Sequence, residues 1–526
     1  MRGRRLAVIG VAAAAFAGSS VGIDATVPPA VASGAVAPTT VAPTTVASTV
    51  RVSTTVAPTV KPLDWKSCRD VREIRCASLQ VPLDRTRPAG PKVSIAISML
   101  PARSRNRRIG VLLVNPGGPG SSGQKFVRQL RRGFSATILD RFDVIGWDPR
   151  GVGGSGEIRC YSDQKSYDRY YAVDPDPDSP AEVAALIDTA RQFAQACGAK
   201  NPRDVLRFAG TADVIDDMDA IRVALGEETI SFFGFSYGTL LGLRYADKYP
   251  KRVRAFALDG ILDPTADTSE RSEEQAAGFD RALAGFLDLC GDVRCGWVRK
   301  GETAGDAFDR LAKTLDAKPI SVRRGSGPAR LVGPGEFIVG VLASLYNRDS
   351  GWPLLRRALS EVEKGDASTM LALFYSYADR EPTGYGNIAE ANAAVNCVDV
   401  PSPRGGAPYA ALAERLGTTS PRFGRLAGYS SIVCGFWPVP STGSVAPVAA
   451  KGSAPILLVG TTRDPATPYV WARSVERQLD NSVLLTYDSD GHTGYLGGNP
   501  CVRRNVHRYL VDLVLPPTGT ACERTR

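Results

Sequence analysis

From residue 93 onward the chain repeats one unit, a short apolar run that breaks into a loop and is followed by a stretch with helical spacing. "VSIAISML" (93–100) has strand composition, and "IGVLLVNPGGPG" (109–120) is a buried-strand run that dissolves into glycines. "GQKFVRQLRRGF" (123–134) has helical spacing, and "FDVIGWDPRG" (142–151) is again a strand ending in a loop. "TADVIDDMDAIRVALG" (211–226) reads as an amphipathic helix, and "TISFFGFSYGTLLGLRYADKYP" (229–250) as strand, tight turn and helix. Three more strands with terminal loops follow in "VRAFALDG" (253–260), "APILLVGTTRD" (454–464) and "SVLLTYDSDGH" (482–492), then a closing helix in "VRRNVHRYLVDLVL" (502–515). Apolar strands alternating with amphipathic helices predict an α/β protein, a mostly parallel sheet with helices on both faces.

Two segments break this pattern. From 265 to 400 the spacing is mainly helical, as in "GFDRALAGFLDLC" and "WPLLRRALSEVEKG", which predicts a helical cap inserted over the loop edge of the sheet. An independent helical domain is the other reading. Core sequence is then expected over 63–264 and 401–526. Residues 26–62 consist of Val, Ala, Pro, Thr and Ser, with "APTTV" twice in tandem (37–41 and 42–46), so neither helix nor core can form and a spacer is expected. Residues 1–25 open on Arg2, Arg4 and Arg5 and run through an apolar stretch to Ala15-Phe16-Ala17, the pattern of a signal peptide, its cleavage site left open. That run is short against the roughly 20 residues a membrane span needs.

Export agrees with ten cysteines falling in close pairs: Cys68 and Cys76, Cys160 and Cys197, Cys290 and Cys295, Cys397 and Cys434, Cys501 and Cys522. Pairing of neighbours is the simplest connectivity, although spacing alone does not fix it. The net charge of +10 over 526 residues comes with no basic cluster interleaved with aromatics, so nucleic acid is not an expected partner. With no CxxC pair and two histidines in the chain, no metal and no organic cofactor are expected. The expected location is extracellular or within the cell envelope.

Chemistry concentrates at "GFSYG" (234–238). The bare G-x-S-x-G pattern is weak, but here a strand precedes it and a helix follows, the context that holds a serine in a sharp turn with its hydroxyl exposed. Ser236 needs a base. His507 lies at helical spacing among Arg and Val and reads as a surface helix residue. His492 follows a strand within the glycine-rich "DSDGHTGYLGG" and is the expected base. Chain order Ser, acid, His selects Asp464 in "TTRDPATPY", with Asp259 and Asp263 as runners-up. Asp488 and Asp490 lie too close to His492 to reach its far nitrogen easily. Tyr237, next after the nucleophile, is expected to give one backbone N–H to the oxyanion, and "NPGGPGSSG" (115–123) the second.

Taken together, "NPGGPGSSG", "GWDPRGVGGS", "GFSYGTLLG", "LDGILDP", "GTTRDPATPY" and "GHTGY" resemble the tripeptidyl aminopeptidase and proline iminopeptidase group of α/β-hydrolases, over nearly all of the chain from Trp65 to Cys522. The resemblance implies an α/β-hydrolase fold, Ser236, Asp464 and His492 as a triad, and Gly118 with Tyr237 as oxyanion donors. It also implies a helical cap over one end of the substrate groove, and removal of residues or short peptides from free N-termini, or ester hydrolysis. Pro116, with Asn115 before it, stands where the group usually has histidine, which weakens transfer of a narrow proline specificity.

A secreted aminopeptidase is therefore expected, acting on peptides through an acyl-enzyme on Ser236. A carboxylesterase with the same triad and a silent binding module of the same fold are the alternatives. An aminopeptidase must bind an α-ammonium group; Glu270, Glu273 and Glu274 in "TSERSEEQ" (268–275) either do so or form a solvated acidic helix start. "DPRG" (148–151) reads as a structural brace through an Asp–Arg pair. Oligomeric state is not legible.

Overall fold

The computed structural model describes residues 62–292, 295–323 and 329–524. The leader and all but the last residue of the spacer lie outside the described residues. The chain enters through β1 (Lys66–Ser67), β2 (Arg75–Pro82), β3 (Lys92–Leu100), β4 (Gly110–Asn115), β5 (Phe142–Trp147), β6 (Ile230–Phe235) and β7 (Val253–Asp259). Two short hairpins follow, β8 (Ile320–Val322) with β9 (Arg330–Val332), and β10 (Arg380–Glu381) with β11 (Gly384–Tyr385). It returns through β12 (Ile456–Arg463), β13 (Ser482–Asp490) and β14 (Ala521–Glu523). Ten of these strands form one sheet in the order β1-β2-β3-β5-β4-β6-β7-β12-β13-β14. From β5 through β14 every neighbouring pair is parallel, whereas β1, β2 and β3 make an antiparallel edge.

The central strands are buried on both faces, which is why they read as unbroken apolar runs. In β4, Val111 and Leu113 pack with Met218, Ile221 and Leu241 on one side. Leu112 and Val114 pack with Val127, Phe233 and Val506 on the other. Each buried aliphatic side chain contributes about 1.5–3 kcal/mol, so this double-faced packing fixes the strand ends from which the functional loops depart.

The helical segment has an apolar core of its own, including Phe279, Leu283, Phe286, Val341, Leu355 and Phe374. That cluster continues into Phe423, just before the later helix Gly424–Tyr429, into Ala427 within it, and into Ala466 in the loop after β12. Helices run on through Ala407–Thr419 and Gly424–Tyr429, and the sheet resumes only at Ile456. All five neighbouring cysteine pairs are bonded. No helix among the described residues is long and apolar enough to cross a membrane.

Candidate active site

Ser236 stands between β6 and the helix Tyr237–Lys248, with φ 55° and ψ −128°, a backbone conformation a serine adopts only under tertiary constraint. The constraint is visible on every side. Its N–H donates to Asp259 O (3.0 Å), and its carbonyl accepts from Thr239 Oγ1 (2.7 Å), which in turn accepts from Leu262 N (3.0 Å). The flanking glycines permit the sharp approach of strand to helix: a Cβ on Gly234 would lie 2.4 Å from Gly238 O, and one on Gly238 would lie 2.7 Å from Asn115 O.

His492 follows β13, and its imidazole is fully enclosed. Nδ1 lies 2.9 Å from both Asp464 carboxylate oxygens. A ring nitrogen facing a carboxylate must carry the proton, so Nε2 keeps its lone pair for use as a base. Asp464 also accepts from Ala466 N (2.9 Å), Thr467 N (2.8 Å), Thr467 Oγ1 (3.0 Å) and Thr493 N (3.2 Å). Thr467 Oγ1 lies 3.2 Å from His492 Nδ1 as well. The ring edge faces the elbow, since a Cβ on Gly260, next to the Asp259 carbonyl that holds Ser236, would come 3.0 Å from His492 Cε1. Ser236 Oγ and His492 Nε2 are both buried, and neither has a hydrogen-bond partner among the described residues. Catalytic bonds of this kind are often long or misaligned without substrate and tighten on binding.

The loop after β4 packs against the elbow. Gly117, at φ +96°, is pressed so close that a Cβ would fall 2.5 Å from Phe235 O, 2.8 Å from Ser236 Cβ and 3.1 Å from Tyr237 N. Gly118 follows at φ +111°, joined to Pro119 by a cis peptide bond. Tyr237 is the first residue of its helix, where a backbone N–H has no intrahelical acceptor. Asn115 Oδ1 takes Gly117 N–H (2.9 Å) and so pins the loop at the position the sequence marked as divergent. An asparagine closing a strand two residues before a glycine is a turn signal, and it could have been read as such.

The other expected residues are placed as follows. Asp259 is fully buried, but its carboxylate accepts from Gly494 N (2.9 Å) and Tyr495 N (2.8 Å). Asp263 binds Thr265 and Gln478, Asp488 binds Thr462 and Arg463, and Asp490 binds Arg463 and Arg348. His507 is not on the open surface: it lies half-buried under Tyr495, 2.9 Å from that hydroxyl, and burial pushes its pKa down to about 4. The expected Asp–Arg pair in "DPRG" does not form. Asp148 instead accepts from Ser122 Oγ (2.5 Å) and Gln124 N (3.1 Å), bracing the end of the loop after β4, while Arg150 makes a two-pronged contact with Asp217 (2.7 Å each). Glu270 caps Asp267 N (3.0 Å), Glu273 pairs with Arg415 (2.9 Å), and burial raises the pKa of Glu274.

Two contacts from the helical layer were not legible. Tyr346 O accepts His492 N–H (2.7 Å), and the Tyr346 ring stands edge-on to the imidazole at 5.2 Å. Asp399 accepts from Thr211 N (2.7 Å) and Thr211 Oγ1 (2.5 Å), and Thr211 Oγ1 meets the Tyr237 phenol at 2.6 Å. Burial holds the Asp399 carboxyl up at about 6.

Fold and site together define a serine hydrolase built on an α/β-hydrolase sheet. The family model described as "alpha/beta hydrolase fold" matches residues 110–296, and the one described as "TAP-like protein" matches 420–522. Serine protease Hip1 of Mycobacterium tuberculosis is 35% identical over 481 residues, covering 88% of this chain and 91% of that protein. Carboxylesterase B of the same species is 36% identical, covering 89% and 91%. Tripeptidyl aminopeptidase of Streptomyces lividans is 29% identical, covering 85% and 84%. The chain belongs to the α/β-hydrolase family.

Proposed function

We propose that this protein is an exported serine exopeptidase that releases residues or short peptides from free N-termini. The acyl-transfer chemistry rests on a doubly held His492 Nδ1 that leaves Nε2 free and on an unpartnered Ser236 Oγ in a strained turn, and likeness to a serine protease and a tripeptidyl aminopeptidase supports the peptidase assignment. In the proposed reaction His492 Nε2 takes the Ser236 proton as Oγ attacks the substrate carbonyl. Tyr237 N–H and Gly118 N–H receive the oxyanion. The protonated imidazole gives its proton to the departing amine, leaving an acyl-enzyme. Water then repeats the cycle, its proton passing through His492 and its oxygen forming the product carboxylate. Asp464 stabilises the imidazolium at each stage. The reading needs no bound cofactor. The five disulfides support export.

Likeness to a protein named carboxylesterase B favours ester hydrolysis by the same machinery as the second reading. One panel separates them: peptide amides with free and with blocked N-termini, and p-nitrophenyl esters, given to wild type and Ser236→Ala. Turnover of free-N-terminus peptides, abolished in Ser236→Ala, supports the exopeptidase. Turnover of esters alone selects the esterase, and no turnover of either selects a binding module.

A further inference from the structure

Behind the oxyanion loop lies a cavity of about 160 Å³. Its position is set from two directions. On one side Asn392, a lining residue, donates from Nδ2 to Pro119 O (3.2 Å), and Gly120 is packed so tightly that a Cβ there would lie 3.1 Å from Asn392 N. On the other side Tyr377 lines the cavity, and its ring stands 6.3 Å from that of Tyr346, which packs on His492. The cavity is thus one contact from the oxyanion loop and two from the histidine. In acyl transfer the leaving group departs past the histidine, while the acyl group stays at the oxyanion donors.

We propose that this cavity receives the side chain of the residue whose carbonyl Ser236 attacks, and that it selects uncharged side chains up to the size of an aromatic ring. The volume fits: an apolar cavity of about 150 Å³ accommodates benzene. The lining fits too. Its walls are aromatic and aliphatic, with Tyr170, Tyr171, Val339 and Ala393 among them, and its polar groups are the neutral amides and hydroxyls of Asn392, Asn396, Ser430 and Ser431. Among the described residues no acidic or basic one lines it, so a charged side chain entering would lose its hydration with no counter-ion. A larger cavity of about 860 Å³, reaching the loop at Gly120, has the opposite character, with Lys125, Arg128, Asp148, Asp379 and Glu381 on its walls. The two differ in the chemistry they can hold, and the neutral one is tied to the loop after β4 through Asn392 and to His492 through Tyr377 and Tyr346.

The inference rests on the acyl-transfer reading above, and its test keeps the two apart. Peptide anilides with a free N-terminus, carrying Ala, Leu, Phe, Lys or Glu before the scissile bond, are given to wild type, Ala393→Phe and Ala389→Leu. Wild type should prefer Leu and Phe to Lys and Glu by about tenfold or more in kcat/KM. Filling the cavity at Ala393, or at Ala389 on the same wall, should lower the Phe-to-Ala ratio by about tenfold or more, while circular dichroism and retained turnover of the Ala substrate report a folded protein. An unaltered ratio in both filled variants, or a wild-type preference for Lys or Glu, overturns the proposal. If wild type cleaves only esters, the exopeptidase reading fails and the cavity is judged on p-nitrophenyl acetate against octanoate. Ala393→Phe should then lose octanoate selectively, and equal loss overturns the proposal. No turnover of either class overturns both.

Discussion

Asp259 ends β7 and Asp464 follows the end of the neighbouring β12; both lie buried and both hold the histidine loop, yet they hold different parts of it. Asp464 meets the imidazole itself. Asp259 reaches past the ring to the backbone of Gly494 and Tyr495, while its own carbonyl takes the Ser236 N–H. One aspartate faces a ring that takes up charge in the proposed reaction; the other faces amides whose charge does not change. Burial and strand-end position therefore do not mark the acid proposed to serve the histidine. What it meets does.

The largest test of that contrast is Asp464→Asn. The amide can present its NH₂ to Nδ1, which reverses the tautomer and places the proton on Nε2, where a lone pair is needed. The expected fall in kcat is about 10⁴-fold with the fold intact, as for the equivalent change in a serine protease triad. Activity on the best substrate, read alongside circular dichroism, decides it. A loss below about tenfold would mean that Asp259 can take over the ring, and the contrast would collapse.

Thr467→Val comes next. It removes the hydroxyl that donates to Asp464 Oδ2 at 3.0 Å and leaves the backbone N–H in place. A hydrogen bond to a charged group is worth about 1.5–3 kcal/mol, so a loss of about ten- to a hundredfold in kcat with KM little changed is expected. Thr467→Ser should restore most of it. An equal effect in both variants would assign the defect to packing and not to the hydroxyl.

The three side chains proposed to react were legible in the sequence for a simple reason: two histidines, one serine elbow and a fixed chain order leave few solutions. Chain order favours Asp464 over Asp259 but gives no account of what Asp259 does, because both stand at the ends of apolar strands and differ in what tertiary packing sets opposite them. Nor could spacing show that Asp399 reaches Tyr237 through Thr211, a contact spanning 188 residues between Thr211 and Asp399. His507 reads as a surface residue because Arg503 and Arg504 precede it on the same helix. The Tyr495 ring that covers it lies 12 residues earlier, across a turn that periodicity does not describe.

The smallest expected effect, and the sharpest discriminator, belongs to Asp259→Asn. Burial lifts the Asp259 carboxyl from its ordinary 3.8 to about 6, against the pull of the Gly494 and Tyr495 N–H groups and of His492, and with help from the Asp464 charge. The folded state therefore holds this proton more tightly than the unfolded chain. The resulting stabilisation is fully present below about pH 4 and is lost as pH rises through about 6. Asparagine cannot titrate, so the stability of wild type relative to the variant should decline across that window and level off above it, read from urea midpoints at pH 4.5 to 7.5. Peptidase activity at neutral pH should fall by no more than about tenfold, since the carboxamide oxygen of the variant can still accept from the Gly494 and Tyr495 amides. A pH-independent difference would remove the buried proton from the account. A loss in kcat matching that of Asp464→Asn would place both aspartates on the ring.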